Sequence, residues 1–176
     1  GNGALESNTT GTSNTAVGGD ALAANTTGWA CTAVGKGALA ANTEGEYNVA
    51  VGHAALDAIT TGDRCTAIGT YSLTNNTGSY NTAVGMYALN ANVAAQYNNA
   101  FGYSALNANT TGEKNIAMGY QALDANTTGS NNNAFGNQAL ANNTTASHNI
   151  AIGVEALNDA TTGGFNVAIG NYSLDA

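Results

Sequence analysis

Leucine recurs along this chain at a fixed interval: Leu5, Leu22, Leu39, Leu56, Leu73, Leu89, Leu106, Leu123, Leu140, Leu157 and Leu174. Consecutive leucines lie seventeen positions apart, except for a step of sixteen from Leu73 to Leu89. A glycine stands four residues before every leucine, from Gly1 to Gly170. A second apolar position closes each unit, at Val17, Val34, Val51, Ile68, Val84, Phe101, Met118, Phe135, Ile152 and Ile169. The unit reads G-x-x-A-L-x-x-N-T-T-G-x-x-N-x-A-Φ, where Φ is Val, Ile, Met or Phe. Ten units are complete and an eleventh is partial. A fixed internal period of this length is the signature of a repeat architecture in which each unit buries its apolar residues against its neighbours.

The segment Asn14-Thr15-Ala16-Val17 and its copies predict a short strand, because β-branched residues alternate with an alanine that never varies. A second short extended stretch is expected around Ala21-Leu22. The Asn-Thr-Thr-Gly that follows predicts a turn. Two strands and two turns per unit make one flattened coil. A helical repeat is the weaker alternative, because Gly, Asn and Thr interrupt every run before it reaches the ~12 residues a marginal helix needs. Coils about 4.8 Å apart would give a rod on the order of 50 Å long. Stacking would align Asn8, Asn25, Asn42, Asn76, Asn92, Asn109, Asn126 and Asn143 in one ladder. Asn14, Asn48, Asn81, Asn98, Asn115, Asn132, Asn149 and Asn166 would form another, with amide hydrogen bonds holding the coils in register. The one shortened step falls in the turn, so the core is expected to run through it unbroken.

Neighbouring side chains of a strand point to opposite faces. Position 16 of the unit is always Ala and position 17 is always large and apolar, whereas positions 2, 3, 12 and 13 drift among polar residues. The strand is therefore expected to be buried on both faces, one against the coil interior and the other against a partner. This predicts homo-oligomerisation through the Val17/Val34/Val51 column or its opposite face, with the eleven leucines forming the coil core.

Composition sharpens this outline. Charged residues make up 8% of the chain and the net charge is -8, with three basic residues. That argues against nucleic acid, which needs clustered Lys and Arg, and disfavours anionic membrane surfaces. No apolar run is long enough for a membrane span. The absence of proline leaves nothing to interrupt a hydrogen-bond ladder. A surface made polar by Asn, Thr, Ser and Tyr suits an extracellular rod. No internal change of composition marks a boundary, so residues 1–176 are expected to form one domain, an excerpt of a longer fibre protein.

The motif Asn-Thr-Ala-Val-Gly-x-x-Ala at Asn14–Ala21 and Asn81–Ala88, and its variant at Asn149–Ala156, resembles the head repeat of YadA-like trimeric autotransporter adhesins. The longer unit is similar to repeats of phage tail fibres and fibre-like bacterial surface proteins. These are the closer match, because the adhesin repeat is usually shorter and lacks the extra residues of the Asn-Thr-Thr-Gly turn. The resemblance covers the whole chain. It implies an all-β fold, a left-handed parallel β-roll with about one coil per repeat, as a homotrimer with a role in attachment.

Candidate chemistry is sparse. Cys31 and Cys65 replace Asn in the second ladder two units apart, ~9–10 Å by coil spacing, too far for a disulfide within one chain. Free, buried thiols are expected, with a bridge between chains the weaker option. Asn8-Thr9-Thr10 and its copies at Asn25, Asn109, Asn126 and Asn143 match the glycosylation pattern, but a turn repeated for stacking explains them better. His53 and His148 lie in different columns five to six coils apart and cannot share a metal; both are expected to be exposed. The carboxylates are scattered, and no catalytic set, metal site or cofactor site is visible. Tyrosines are more suggestive. Tyr47, Tyr80 and Tyr97 occupy one variable column, Tyr71 and Tyr87 another, and Tyr103 and Tyr120 a third. They could contact surface glycans or proteins, although stacked aromatics that stabilise adjacent coils are the favoured reading. The sequence thus predicts a structural and adhesive rod, the shaft or head of an extracellular fibre on a cell surface or virion. An ice-binding β-solenoid is the alternative; an enzyme on a β-helix is a distant third.

Overall fold

The computed structural model describes residues 1–174; the last two residues of the predicted domain lie outside the described residues. The chain winds into a β-solenoid with one repeat per coil. Coils are numbered here by their opening glycine: coil 1 is 1–17, coil 4 is 52–68, coil 5 is the short coil 69–84, and coil 10 is 153–169. Each coil closes with one three-residue strand: β1 Thr15–Val17, β2 Thr32–Val34, β3 Val49–Val51, β4 Thr66–Ile68, β5 Thr82–Val84, β6 Asn99–Phe101, β7 Ile116–Met118, β8 Asn133–Phe135, β9 Ile150–Ile152 and β10 Val167–Ile169. The ten strands form one parallel sheet in sequence order. Register is kept from coil to coil, Ala16 beside Ala33 and Val17 beside Val34. It survives the shortened step, where Ile68 pairs Val84.

The second strand predicted around Ala21-Leu22 does not form. This part of every coil is a run of turns. The leucine itself takes a left-handed backbone, φ +52° at Leu22, and so does the residue two before it, φ +58° at Asp20. A third left-handed residue precedes the Asn or Cys that leads into each strand, as at Tyr47 with φ +56° and Arg64 with φ +55°. Left-handed backbone is uncommon for any residue but glycine, at a cost on the order of 1–2 kcal/mol each. Here it curls the chain tightly enough to close a coil within a single repeat. It is held by hydrogen bonds to the neighbouring coil: Leu22 N–H to Ala38 O at 3.0 Å and Asp20 N–H to Asn2 O at 2.9 Å.

Five positions per coil point inward. The leucines from Leu22 to Leu140 are fully buried and Leu157 nearly so, whereas Leu5 is half-buried and Leu174 exposed. The strand alanines from Ala33 to Ala151 and the alanines before the leucines, such as Ala21 and Ala38, are buried with them. The remaining two positions are polar. Asn25, Asn42, Asn76, Asn92, Asn109, Asn126 and Asn143 bond along their ladder, side chain to side chain: Asn25 Nδ2 donates to Asn8 Oδ1 at 2.7 Å and Asn92 Nδ2 to Asn76 Oδ1 at 2.6 Å. The ladder begun by Asn14 works differently from expectation, bonding chiefly to backbone. Asn98 Oδ1 accepts the Asn115 N–H at 3.0 Å, and Asn98 Nδ2 donates to Gly112 O at 2.8 Å. Burial of amides at this density is tolerated because each is hydrogen-bonded.

The opening glycine is fixed by sterics. Gly102 has φ +136°, and a Cβ there would fall on the carbonyl of Gly119 in the next coil. No other residue type occupies this position in any coil.

Candidate interaction surface

The strand presents two unlike faces. Ala faces the coil interior, and the flanking positions face out. The predicted partner-or-core column is therefore not part of the coil core. Val34, Ile68, Phe101, Met118 and Ile152 are 36–42% exposed, Val17 and Ile169 more so, and Val51, Val84 and Phe135 are half-buried. A second outward column runs beside it from Thr15, Thr32 and Val49 to Asn133, Ile150 and Val167. The two columns make a flat strip spanning ten strands, apolar along its Φ edge. At coil and strand spacing the two columns together cover on the order of 400 Å², of which the Φ edge is the apolar part.

Aromatic ladders run on either side of the strand. The tyrosines placed in two separate columns by sequence join into one line. His53 meets Tyr71 edge-on at 5.2 Å between ring centroids, Tyr71 stacks on Tyr87 at 5.6 Å, Tyr87 meets Tyr103 at 6.2 Å, and Tyr103 stacks on Tyr120 at 5.5 Å. Their attachment points are adjacent positions of the unit, and ring size bridges the difference. Sequence columns alone could not show that reach.

On the other side Trp29 packs on Tyr47 at 4.6 Å, and Tyr80 stacks on Tyr97 at 5.2 Å. Arg64 fills the gap, its guanidinium 5.2 Å from the Tyr47 ring and 5.7 Å from the Tyr80 ring. Sequence reasoning missed Trp29 and Arg64; their unit positions, next to or within the Tyr47 column, were the available signal. Tyr47, Tyr80, Tyr97, Tyr103 and Tyr120 are 41–49% exposed, but the stacked pairs spend a ring face on each other. That arrangement favours coil-to-coil stabilisation over stacking of sugars, while ring edges and hydroxyls stay open to contact.

Cys31 and Cys65 are free and buried. Each thiol takes over the donor role of the absent Asn, Cys31 Sγ to Gly45 O at 3.3 Å and Cys65 Sγ to Gly78 O at 3.3 Å. Burial raises both thiol pKa values, against the lowering effect of the Asn48 N–H on Cys31 and of the Asn81 N–H on Cys65; Cys65 is pushed up to about 11. Burial also raises the Asp57 carboxyl, with His53 opposing, and the Asp124 carboxyl, with a hydrogen bond from Asn107 opposing. In the glycosylation-like turns, Asn25, Asn109, Asn126 and Asn143 are fully buried. The Nδ2 of Asn109 is committed to Asn92 Oδ1 and Gly112 O, bonds that a glycan on that nitrogen would break. His53 and His148 are exposed. Among the described residues there is no cavity, no group of three or more potential metal ligands, and no helix long and apolar enough to cross a membrane.

Comparison with protein-family models, curated proteins and solved structures gave no match.

Proposed function

We propose that this chain is the shaft or head segment of an extracellular trimeric attachment fibre, a surface adhesin or tail fibre, with a structural and adhesive role and no catalytic one. In this reading three copies wind as left-handed β-rolls about one axis and pack through the outward Φ column, and the fibre's targets are surface glycans or proteins. The observation that carries it is the strip beside the strand alanines: an apolar column from Val17 to Ile169 that is half-buried to exposed along its length and never part of the coil core. Burying that column on neighbouring copies would remove an apolar edge that runs the length of the strand sheet.

Sedimentation equilibrium tests it. The expected mass is three times 17.4 kDa, falling to one chain when Met118→Glu and Ile152→Glu are combined. A stable monomer of the unaltered chain would sink the reading. Binding to a glycan or cell-surface array, weakened by Tyr103→Ala with Tyr120→Ala, would add the adhesive part.

One observation favours a second reading, an ice-binding solenoid. Thr15, Thr32, Thr66 and Thr82 face outward beside Val17, Val34, Ile68 and Val84, a Thr-x-Val/Ile array on one parallel sheet, interrupted at Val49. The array ends at Asn99-Ala100-Phe101. Thermal hysteresis at millimolar protein would support this reading, and its absence would remove it.

A further inference from the structure

The joint between coils 4 and 5 differs from every joint before it. At the turn corner of coils 1–3, one carbonyl gathers a set of donors from the preceding coil. Thr26 O accepts from the N–H groups of Thr9, Thr10 and Gly11 and from Thr9 Oγ1, and the same set recurs on Thr43 O and Thr60 O. In coil 4 the equivalent donors, the N–H groups of Thr60, Thr61 and Gly62 and the Thr60 hydroxyl, reach no protein acceptor among the described residues. Ile59 N–H also lacks the local bond made at this position elsewhere, as from Asn42 N–H to Leu39 O at 3.2 Å.

Two sequence features cause the break. Coil 5 lacks one residue of its Asn-Thr-Thr-Gly turn, so Thr77 runs straight into Gly78 and the receiving carbonyl is displaced. Ile59 replaces the ladder Asn, which leaves Asn42 Oδ1 buried without a partner. The rest of the joint is closed. Leu56 N–H bonds Ser72 O at 3.0 Å, Thr66 N–H bonds Asn81 O at 2.9 Å, and Tyr80 N–H bonds Asp63 O at 3.0 Å. Both aromatic ladders cross it, through Arg64 on Tyr80 and through His53 on Tyr71. Cys65 sits inside the joint, its Sγ donating across it to Gly78 O and lying 3.6 Å from Asn76 Nδ2.

We propose that the Ile59–Gly62 corner is a built-in opening point of the rod. Coils 4 and 5 part there first, while the sheet and the aromatic ladders hold the two halves together, and each opening uncovers Cys65. Local opening concentrates where inter-coil hydrogen bonds are fewest. Among the described corners between complete coils this is the one that keeps none of the set; the coil 6 corner still holds Val93 N–H to Thr110 O at 3.2 Å, so the rod yields first between coils 4 and 5.

Thiol labelling of the folded protein with a maleimide tests the idea. Cys65 in a Cys31→Ala background is compared with a thiol at the same unit position in a closed joint, Asn115→Cys in a Cys31→Ala, Cys65→Ala background. Static burial and a thiol raised to about 11 make Cys65 a slow reactant; the opening corner makes it at least about tenfold faster than Asn115→Cys. Ile59→Asn with a threonine inserted between Thr77 and Gly78 should remove that difference. Cys65 labelling no faster than Asn115→Cys would overturn the proposal. Hydrogen exchange of the unaltered protein gives an answer that needs no variant: Thr60, Thr61 and Gly62 amides should exchange well before those of Thr43, Glu44 and Gly45. Equal protection of the two corners would also overturn it.

Discussion

At the scale of single residues, the interior of this rod is an amide structure as much as an apolar one. From Asn25 to Asn149 the Asn residues of the two ladders are buried as completely as Leu, and their neighbours can be read from the bonds they make. Where Ala160 follows Asn143, or Ile59 follows Asn42, the preceding amide oxygen is left without a donor. This inverts the usual cost of a polar substitution in a core. Ile59→Asn would supply a donor to Asn42 Oδ1 and to Gly62 O, and a second acceptor for Asn76 Nδ2, which now bonds Gly78 O at 2.7 Å and lies 3.6 Å from the Cys65 sulfur. We expect it to leave stability unchanged or raise it by about 1 kcal/mol, the net value of a buried hydrogen bond. Urea denaturation would measure this, and a loss above about 2 kcal/mol would contradict the ladder account. The Asn ladders were legible in the sequence because their spacing is the repeat itself. That the Asn14 ladder serves backbone groups was not, since the residue type alone does not say which partner lies within reach.

At the scale of the element, the strand was visible and the rest of the coil was not. Thr-Ala-Val carries β-branched residues in alternation, and β1 to β5, β9 and β10 form on that pattern or its Val and Ile variants; β6 and β8, Asn-Ala-Phe, form without it, at the same place in the repeat. Ala-Leu carries no mark of the left-handed backbone it adopts, because Leu at φ +52° contradicts local preference and is imposed by the neighbouring coils. The glycine between strand and turn was legible as a bend, and its reason is now steric. Gly102→Ala would place a methyl on the Gly119 carbonyl at a φ of +136°. Strain and overpacking together should cost about 3 kcal/mol or more. Gly112→Ala would also bring a methyl onto a carbonyl, that of Gly129, but without a left-handed φ, and Ala95 and Ala146 hold the same place in their coils, so it should cost less than half of that. Paired melting curves of the two variants would check the ranking.

At the scale of the whole molecule, each coil touches only its neighbours, so stability should behave as a sum over coils and joints. Excising residues 103–119 joins Gly102 to Tyr120, the same Gly-to-Tyr junction that the chain already has at 119–120. The shortened rod should keep its circular dichroism per residue and lose only a small part of its stability. Removing residues 103–110 instead breaks the register and should prevent folding beyond that coil. The shortened step after Leu73 shows the limit of reading such a molecule from its period. The leucine and strand columns pass through it as expected, with Ile68 beside Val84, yet the missing residue, together with Ile59, leaves the donors of the Thr60–Gly62 corner without the carbonyl that serves them in coils 1–3.

The Asn8 ladder has a consequence of another kind. Asn25 donates to Asn8, Asn42 to Asn25, Asn109 to Asn92, Asn126 to Asn109 and Asn143 to Asn126, always from the later coil to the earlier. The amide dipoles therefore share one direction and reinforce one another along the axis, as peptide dipoles do in a helix. The rod carries an arrow. Within each run of the ladder, Asn8 to Asn42 and Asn76 to Asn143, a coil stacked in the same sense offers its donor to the oxygen before it, whereas a coil turned over would set carbonyl against carbonyl, so the ladder fixes the direction in which coils stack.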